Sequence, residues 1–99
     1  MPEHPKPKTT RDQDFLQAIR ELQCLACGAQ PLNDAHHIKT RGSGGKDDHW
    51  NLMPLCRNCH QIIHQIGLTQ FVGNFPHVEE YLLNLGWEWQ GYRLFHPKN

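Results

Sequence analysis

The sequence predicts a small α+β domain, and three observations support that prediction. Two Cys-x-x-Cys pairs lie on either side of residues 28–55, two short extended segments lie between the pairs, and apolar residues recur at helical spacing outside them. A chain of 99 residues has the length of one domain. Because a domain of this size buries only about 60–65% of its unfolded surface, metal cross-links would add to its stability.

The first half of the chain divides into a leader, a helix and two extended segments. Residues 1–9 contain three prolines and are interpreted as a flexible leader, which leaves 10–99 as a single domain. Thr10 and Gln13 have the spacing of a capping box, before a helix at roughly 11–23. Extended segments are predicted for "DAHHIKT" and for "WNLMPL", the second ending at Pro54, with the loop "RGSGGKDD" between them.

The second half is predicted to be helical and to end in a hairpin. Gly67 and Pro76 separate three predicted helices: 57–66, 69–74 and 77–85. The tail "WEWQGYRLF" alternates about Gln90 and Gly91, as the strands of a hairpin do. Its aromatic side chains are expected to pack against the last helix rather than to stack on nucleic-acid bases: Trp87, Trp89, Tyr92 and Phe95.

Charge and hydropathy exclude several classes of protein. The net charge is zero with histidine neutral, so a surface that binds nucleic acid would have to be local. No apolar run approaches the length of a membrane helix, and the N-terminus lacks the apolar core of a signal peptide. We therefore expect a cytoplasmic protein with no membrane partner. Reduced thiols in that compartment favour zinc over disulfides.

The cysteines predict one structural zinc site. Each Cys-x-x-Cys turn presents two thiolates, and four thiolates complete the tetrahedron that zinc prefers: Cys24, Cys27, Cys56 and Cys59. Covalent haem at "CRNCH" would need export and a haem pocket. A thioredoxin-like redox role would need one pair at the start of a helix in a βαβ unit. Neither context is visible in the sequence.

The histidines predict a second, open metal site. His60 and His64 lie four residues apart on a predicted helix, so they share one face and can chelate one ion. The alternative is that His64 is a partly buried polar residue and that His60 merely flanks a zinc ligand. His36 and His37 are adjacent on a predicted strand and point to opposite sides, so one can bind metal while the other addresses a substrate. Three others are expected at the surface: His4, His77 and His96.

The order His36-His37, Asn51, His60, His64 resembles that of the HNH endonucleases of the ββα-metal (His-Me finger) superfamily. The elements "HHI", "GSGG", "NL", "LC" and "CH" occur in family order over residues 24–67. The paired cysteines resemble those of the zinc-stapled branch common in phage and bacterial HNH proteins. The resemblance implies a ββα-metal core at about 24–67, an extension at 68–99, and phosphodiester hydrolysis in the cytoplasm of a bacterium or a phage-infected host.

The resemblance also implies a role for each polar residue of the core. His37 would be the general base that activates water, and Asn51 would hydrogen-bond the other ring nitrogen of His37 to orient it. Three histidines would hold one catalytic divalent ion: His36, His60 and His64. Three imidazoles suit Zn²⁺, Ni²⁺, Co²⁺ or Mn²⁺ better than Mg²⁺, although Mg²⁺ stays among the candidates.

DNA is the partner that the resemblance implies. The residues expected to contact it are basic: Lys39, Arg41, Lys46 and Arg57. The alternative is a zinc-stapled nucleic-acid-binding module with the same fold and no useful catalysis, and a third option is a redox or metal-storage protein built on the cysteines. A homodimer and an accessory protein that delivers the substrate both stay open.

Overall fold

The computed structural model describes residues 12–98, so the predicted leader and Thr10 of the predicted capping box lie outside the described residues. The described part is a small mixed α+β fold with two antiparallel two-stranded sheets. Its elements, in chain order, are α1 (Gln13–Arg20), β1 (Asp34–His37), β2 (Leu52–Leu55), α2 (Arg57–Asn74), α3 (Pro76–Asn84), β3 (Glu88–Gln90) and β4 (Arg93–Phe95). None of the helices in this part is long and apolar enough to span a membrane.

Helix α1 is shorter than the predicted range of 11–23. It begins after Asp12, whose side chain accepts a hydrogen bond from the Phe15 N–H, so Asp12 caps the helix. Leu16 and Ile19 are buried against Leu52 of β2, which places α1 on the first sheet. The prediction missed this cap because Asp12 lies inside the range assigned to the helix.

Strands β1 and β2 pair directly, with His36 opposite Met53 and His37 opposite Leu52. Strand β2 is buried along its whole length, and it continues one residue beyond the predicted end at Pro54. The loop between the strands folds back on itself, and a Cβ at Gly45 would lie 1.7 Å from the Lys39 carbonyl oxygen. Glycine is therefore required at position 45 for this close backbone approach.

Helix α2 covers two predicted helices and bends where they were expected to separate. Gly67 has φ 85° and ψ 164°, a conformation that is essentially restricted to glycine, and the chain returns to helical geometry after it. The helix begins at Arg57, directly after Cys56, whose sulfur accepts a hydrogen bond from the Cys59 N–H. The next helix, α3, begins at Pro76, one residue before the predicted range of 77–85, because proline is favoured at the first position of a helix.

The C-terminal hairpin packs onto the main core, and two predictions about it need correction. His96 is buried rather than at the surface, because its ring stacks on Trp50 at 4.0 Å between centroids and bonds to the Leu85 carbonyl. The aromatic residues of the tail also differ in burial, so they do not all pack against the protein as predicted. Trp87 is buried, whereas Tyr92 is 80% exposed at the turn. Tyr92 belongs to the turn between β3 and β4, so the alternation of side chains along a strand does not determine its exposure.

Candidate functional site

The four cysteines form one compact group that joins the segment before β1 to the start of α2. Their sulfur atoms all lie within 4.8 Å of one another, so the group could hold a metal ion. Cys24 and Cys27 precede β1, whereas Cys56 and Cys59 lie at the start of α2. In each pair the second residue's N–H donates to the first sulfur, at 3.5 Å and 3.4 Å, so two similar backbone turns present the sulfurs.

The charges of the cysteine group favour a bound cation. Burial alone would raise the pKa of Cys24, but backbone hydrogen bonds from Cys27, Cys56 and Ala26 lower this pKa to about 6. Burial and the neighbouring thiols raise the pKa of Cys59. Because adjacent thiolates repel one another, all four sulfurs can be ionised together only around a cation.

A second group consists of three histidines from β1 and α2. The ligand nitrogens of His36, His60 and His64 lie within 4.8 Å of one another, so this group could also hold a metal ion. His36 is 5% exposed, and burial, followed by the nearby His60, His64 and His37, lowers its pKa to about 3. The ring of His36 is therefore neutral at physiological pH, which is the form that binds metals.

Asp34 orients one of these histidines. Its Oδ2 lies 2.9 Å from Nδ1 of His60, so His60 donates from Nδ1 and keeps Nε2 for an ion. The hydrogen bond from Arg57, followed by that from His60, holds the pKa of Asp34 below its ordinary value. Sequence reasoning missed Asp34, although it lies two residues before His36 on the same face of a strand.

His37 lies beside the histidine group and has a carboxylate partner of its own. A cavity of about 230 Å³ is lined by His37 together with His36, His60 and His64. Nε2 of His37 lies 2.7 Å from Oδ1 of Asp47, whose side chain is 1% exposed. Burial alone would raise the pKa of Asp47, but hydrogen bonds from His37 and the Asp12 N–H, and the charge of Arg41, hold it below its ordinary value.

The Asn51 side chain makes its hydrogen bonds to the backbone and not to His37, so the predicted hydrogen bond between them is wrong. The Asn51 side chain is fully buried, its Oδ1 accepts from the Lys39 N–H, and its Nδ2 donates to the carbonyls of Lys39 and Lys46. Asn51 thus holds the loop between β1 and β2, and Asp47 takes the place beside His37. Sequence reasoning missed Asp47 because it lies ten residues from His37 in a segment identified only as loop.

Two of the four basic residues predicted to contact DNA lie in ion pairs. Arg41 donates to Asp47 at 2.7 Å, and Arg57 donates to both oxygens of Asp34 at 3.0 and 3.3 Å. Lys39 and Lys46 are half-buried in the same loop. The contact of these residues with DNA stays a prediction.

The described residues define a small α+β protein with two groups of side chains that could each hold a metal ion. Residues 2–72 match the family described as "Protein of unknown function (DUF968)", and the chain belongs to this family. No curated protein and no solved structure matches the chain. The family match contains both candidate metal groups and ends within α2, so α3 and the C-terminal hairpin lie beyond it.

Proposed function

We propose that the protein is a metal-dependent HNH endonuclease that hydrolyses phosphodiester bonds in DNA. The observation that carries the proposal is a fourth imidazole, that of His37, in the cavity of the three-histidine group and bonded to a buried carboxylate. A metal site that only stabilises the fold would not need this additional histidine, held in place by a carboxylate. In metal-assisted hydrolysis a base beside the cation can take the proton from the attacking water.

The side chains would divide the chemical work as follows. Three histidines would bind a divalent ion, which stabilises negative charge on a phosphate and its leaving oxygen when bound: His36, His60 and His64. Asp47 accepts from Nε2 of His37 and thereby fixes the tautomer, so Nδ1 of His37 is the atom that takes a proton from water. In this proposal Asp47, and not Asn51, is the positioning residue for the base.

The cysteine group would hold a structural Zn²⁺, since four thiolates are a closed tetrahedral donor set with no position left for a substrate. The histidine group offers three donors and leaves a position for a phosphate oxygen. Its imidazoles suit Zn²⁺, Ni²⁺, Co²⁺ or Mn²⁺ better than Mg²⁺. Loop lysines at 39 and 46 would contact phosphates next to this ion.

The test is a plasmid-nicking assay with each of these divalent ions, run beside calorimetric metal titration. His37→Ala should lose about 10²–10⁴-fold in rate and keep the second metal, because it removes the base and no ligand. His60→Ala should weaken binding of that metal, and added metal should restore part of the activity. His49→Ala is the matched control, since His49 is exposed and lines neither group.

Two results would contradict the proposal. If the wild type nicks nothing with any divalent ion, the chain is a metal-stapled binding module and no nuclease. If His37→Ala loses the metal while His60→Ala cuts normally, the roles of base and ligand are wrongly assigned.

A further inference from the structure

A second cavity, of about 420 Å³, lies next to the histidine cavity and contains neither the candidate base nor a candidate metal ligand. The β1–β2 loop, the turn after the bend in α2 and the C-terminal hairpin form its walls. The residues that matter for its chemistry are Lys39, Thr40, Ser43, Thr69, Arg93 and Phe95. Thr40 lines both cavities, so the second cavity adjoins the one lined by the histidines.

We propose that this cavity binds one unpaired nucleotide of the DNA beside the cleavage site. The inference rests on the proposed nuclease function for the identity of the polymer. It adds a binding site beyond that function and a substrate class, namely DNA with a single-stranded segment, gap or overhang.

The lining residues match the three parts of a nucleotide. Lys39 and Arg93 offer positive charge for a phosphate, and none of the described lining residues is acidic. The Thr40 hydroxyl donates to Ser43 and the Thr69 hydroxyl donates to the Tyr92 carbonyl, which leaves the Ser43 hydroxyl to donate, and the Thr69 oxygen to accept, at sugar and base edges.

Phe95 supplies a flat surface for the base. Its side chain is 37% exposed, and the Arg93 guanidinium carbon lies 5.3 Å from the centroid of its ring. An exposed aromatic ring next to an arginine is the arrangement on which single-stranded nucleic acids stack their bases. A side chain placed only to complete the core would be covered, as Trp87 and Leu94 are in the same cavity wall.

The shape of the site favours an unpaired base over an intact duplex. In a duplex the bases are stacked inside the helix, and a concave pocket reaches one only if it is single-stranded or extruded. Reading the grooves of a duplex instead requires a protruding helix or ribbon. A cavity of this volume, open beside the candidate cleavage site, fits one nucleotide at a time.

The experiment measures binding of the full chain to a labelled single-stranded oligonucleotide and to the matching blunt duplex, by fluorescence anisotropy without added divalent metal. The wild type should bind the single strand more tightly. Phe95→Ala should weaken single-strand binding by roughly five- to hundredfold, the range for loss of one stacked base, and Arg93→Gln should also weaken it. Tyr92→Ala is the matched control, because Tyr92 is an exposed aromatic of the same hairpin that does not line the cavity.

Folding and the two proposals can be separated. Phe95→Leu keeps an apolar side chain and removes the aromatic face, so it should show the same loss if stacking is the cause. Unchanged single-strand binding in Phe95→Leu and Arg93→Gln, or equal affinity of the wild type for single strand and duplex, would overturn the nucleotide site. If the wild type nicks plasmids in that case, the nuclease proposal stands alone. If the variants lose binding but nothing is cut, the site stands and the nuclease proposal falls.

Discussion

Asp47 holds the part of the candidate site around His37 in place. Its carboxylate accepts hydrogen bonds from His37, from Arg41 and from the backbone N–H of Asp12. One buried side chain therefore links the candidate base, the loop and the start of α1. Three hydrogen-bond donors favour the ionised form of this carboxylate.

Replacing Asp47 by Asn should destabilise the protein by about 2 kcal/mol at neutral pH, because the amide has no charge and puts an N–H donor where one of the two acceptor oxygens was. The folded pKa of Asp47 lies below its ordinary value of 3.8, so its contribution is present above about pH 4 and is lost as the pH falls through the folded pKa. The difference between wild type and variant in free energy of unfolding should therefore shrink towards pH 3. Denaturant titrations at a series of pH values measure it.

Asp48→Asn is the control for that measurement, since the Asp48 side chain makes no capping hydrogen bond to the turn that follows it. Zinc content is measured alongside, and the comparison uses the pH values at which wild type and variants keep the cysteine-bound metal. If the difference in free energy of unfolding between wild type and Asp47→Asn stays constant with pH, the charge of the carboxylate is not what stabilises the site.

At the scale of single residues, the sequence predicted candidate ligands better than their partners. His60 and His64 could be paired because they recur at helical spacing, and the cysteines because of their short repeated turns. Asp34 and Asp47 act across long separations in sequence. Their hydrogen bonds depend on how the strands and the loop fold together, which no local spacing encodes.

At the scale of elements, the β1–β2 loop is fixed by backbone contacts and not by its glycine content alone. Asn51 bonds to the backbone at both ends of the segment 39–46, and Gly45 lies against the Lys39 carbonyl. This loop carries Asp47 at its end, so its position sets the position of the carboxylate. The prediction of a plain glycine-rich loop gave its boundaries but not its rigidity.

Gly45→Ala should destabilise the protein by about 1–3 kcal/mol, because the new Cβ would meet the Lys39 carbonyl oxygen at 1.7 Å and backbone atoms must shift. Nicking activity should fall with it, since Asp47 would be displaced. Gly42→Ala, where the added carbon meets nothing within 4 Å, is the matched control and should change stability by less than about 0.5 kcal/mol. Thermal unfolding of both variants measures the difference, and equal effects would contradict the close approach.

The ion pair of Arg41 changes what is expected of the basic loop. Replacing Lys39 and Lys46 together by Gln should lower the slope of log affinity against log salt by up to about 1.8 for duplex DNA, about 0.9 for each phosphate that the protein no longer neutralises. Arg41→Gln should change the slope less, because Asp47 already offsets the charge of Arg41. Affinities measured over a range of salt concentrations without added metal provide the slopes. An effect of Arg41→Gln as large as that of the two lysines would show that Arg41 leaves Asp47 to contact DNA.

Most of the elements could be predicted, but not the way in which neighbouring elements join. The extended segment at β1, the helix α3 after Pro76 and the C-terminal hairpin, which alternation predicted, are all present. The break at Gly67 and a helix beyond it were predicted, and both are present. The direct continuation from one helical segment into the next was not predicted, because it depends on packing of Phe71 and Val72 in the core.

At the scale of the whole molecule, the cysteine group joins the two ends of the segment that carries β1, the loop and β2. We expect one zinc ion per chain to survive dialysis and its removal by a chelator to unfold much of the domain, since the free energy of metal binding is here free energy of folding. Metal analysis and far-ultraviolet circular dichroism measure both. His60→Ala is the control, because it should lose the other metal and keep this one. A disulfide between Cys24 and Cys27 in the native protein, or full secondary structure after zinc removal, would contradict the expectation.

The long-range packing of the hairpin has a consequence for how the chain evolves. Trp50 lies within residues 2–72, which match the family. Its carbonyl oxygen accepts a hydrogen bond from the Trp87 indole, and its ring stacks on that of His96. Both partners lie outside the match. A lineage that exchanged its C-terminal segment would leave an uncovered indole beside Asn51. The residue at position 50 and those around 87–96 should therefore change together among relatives.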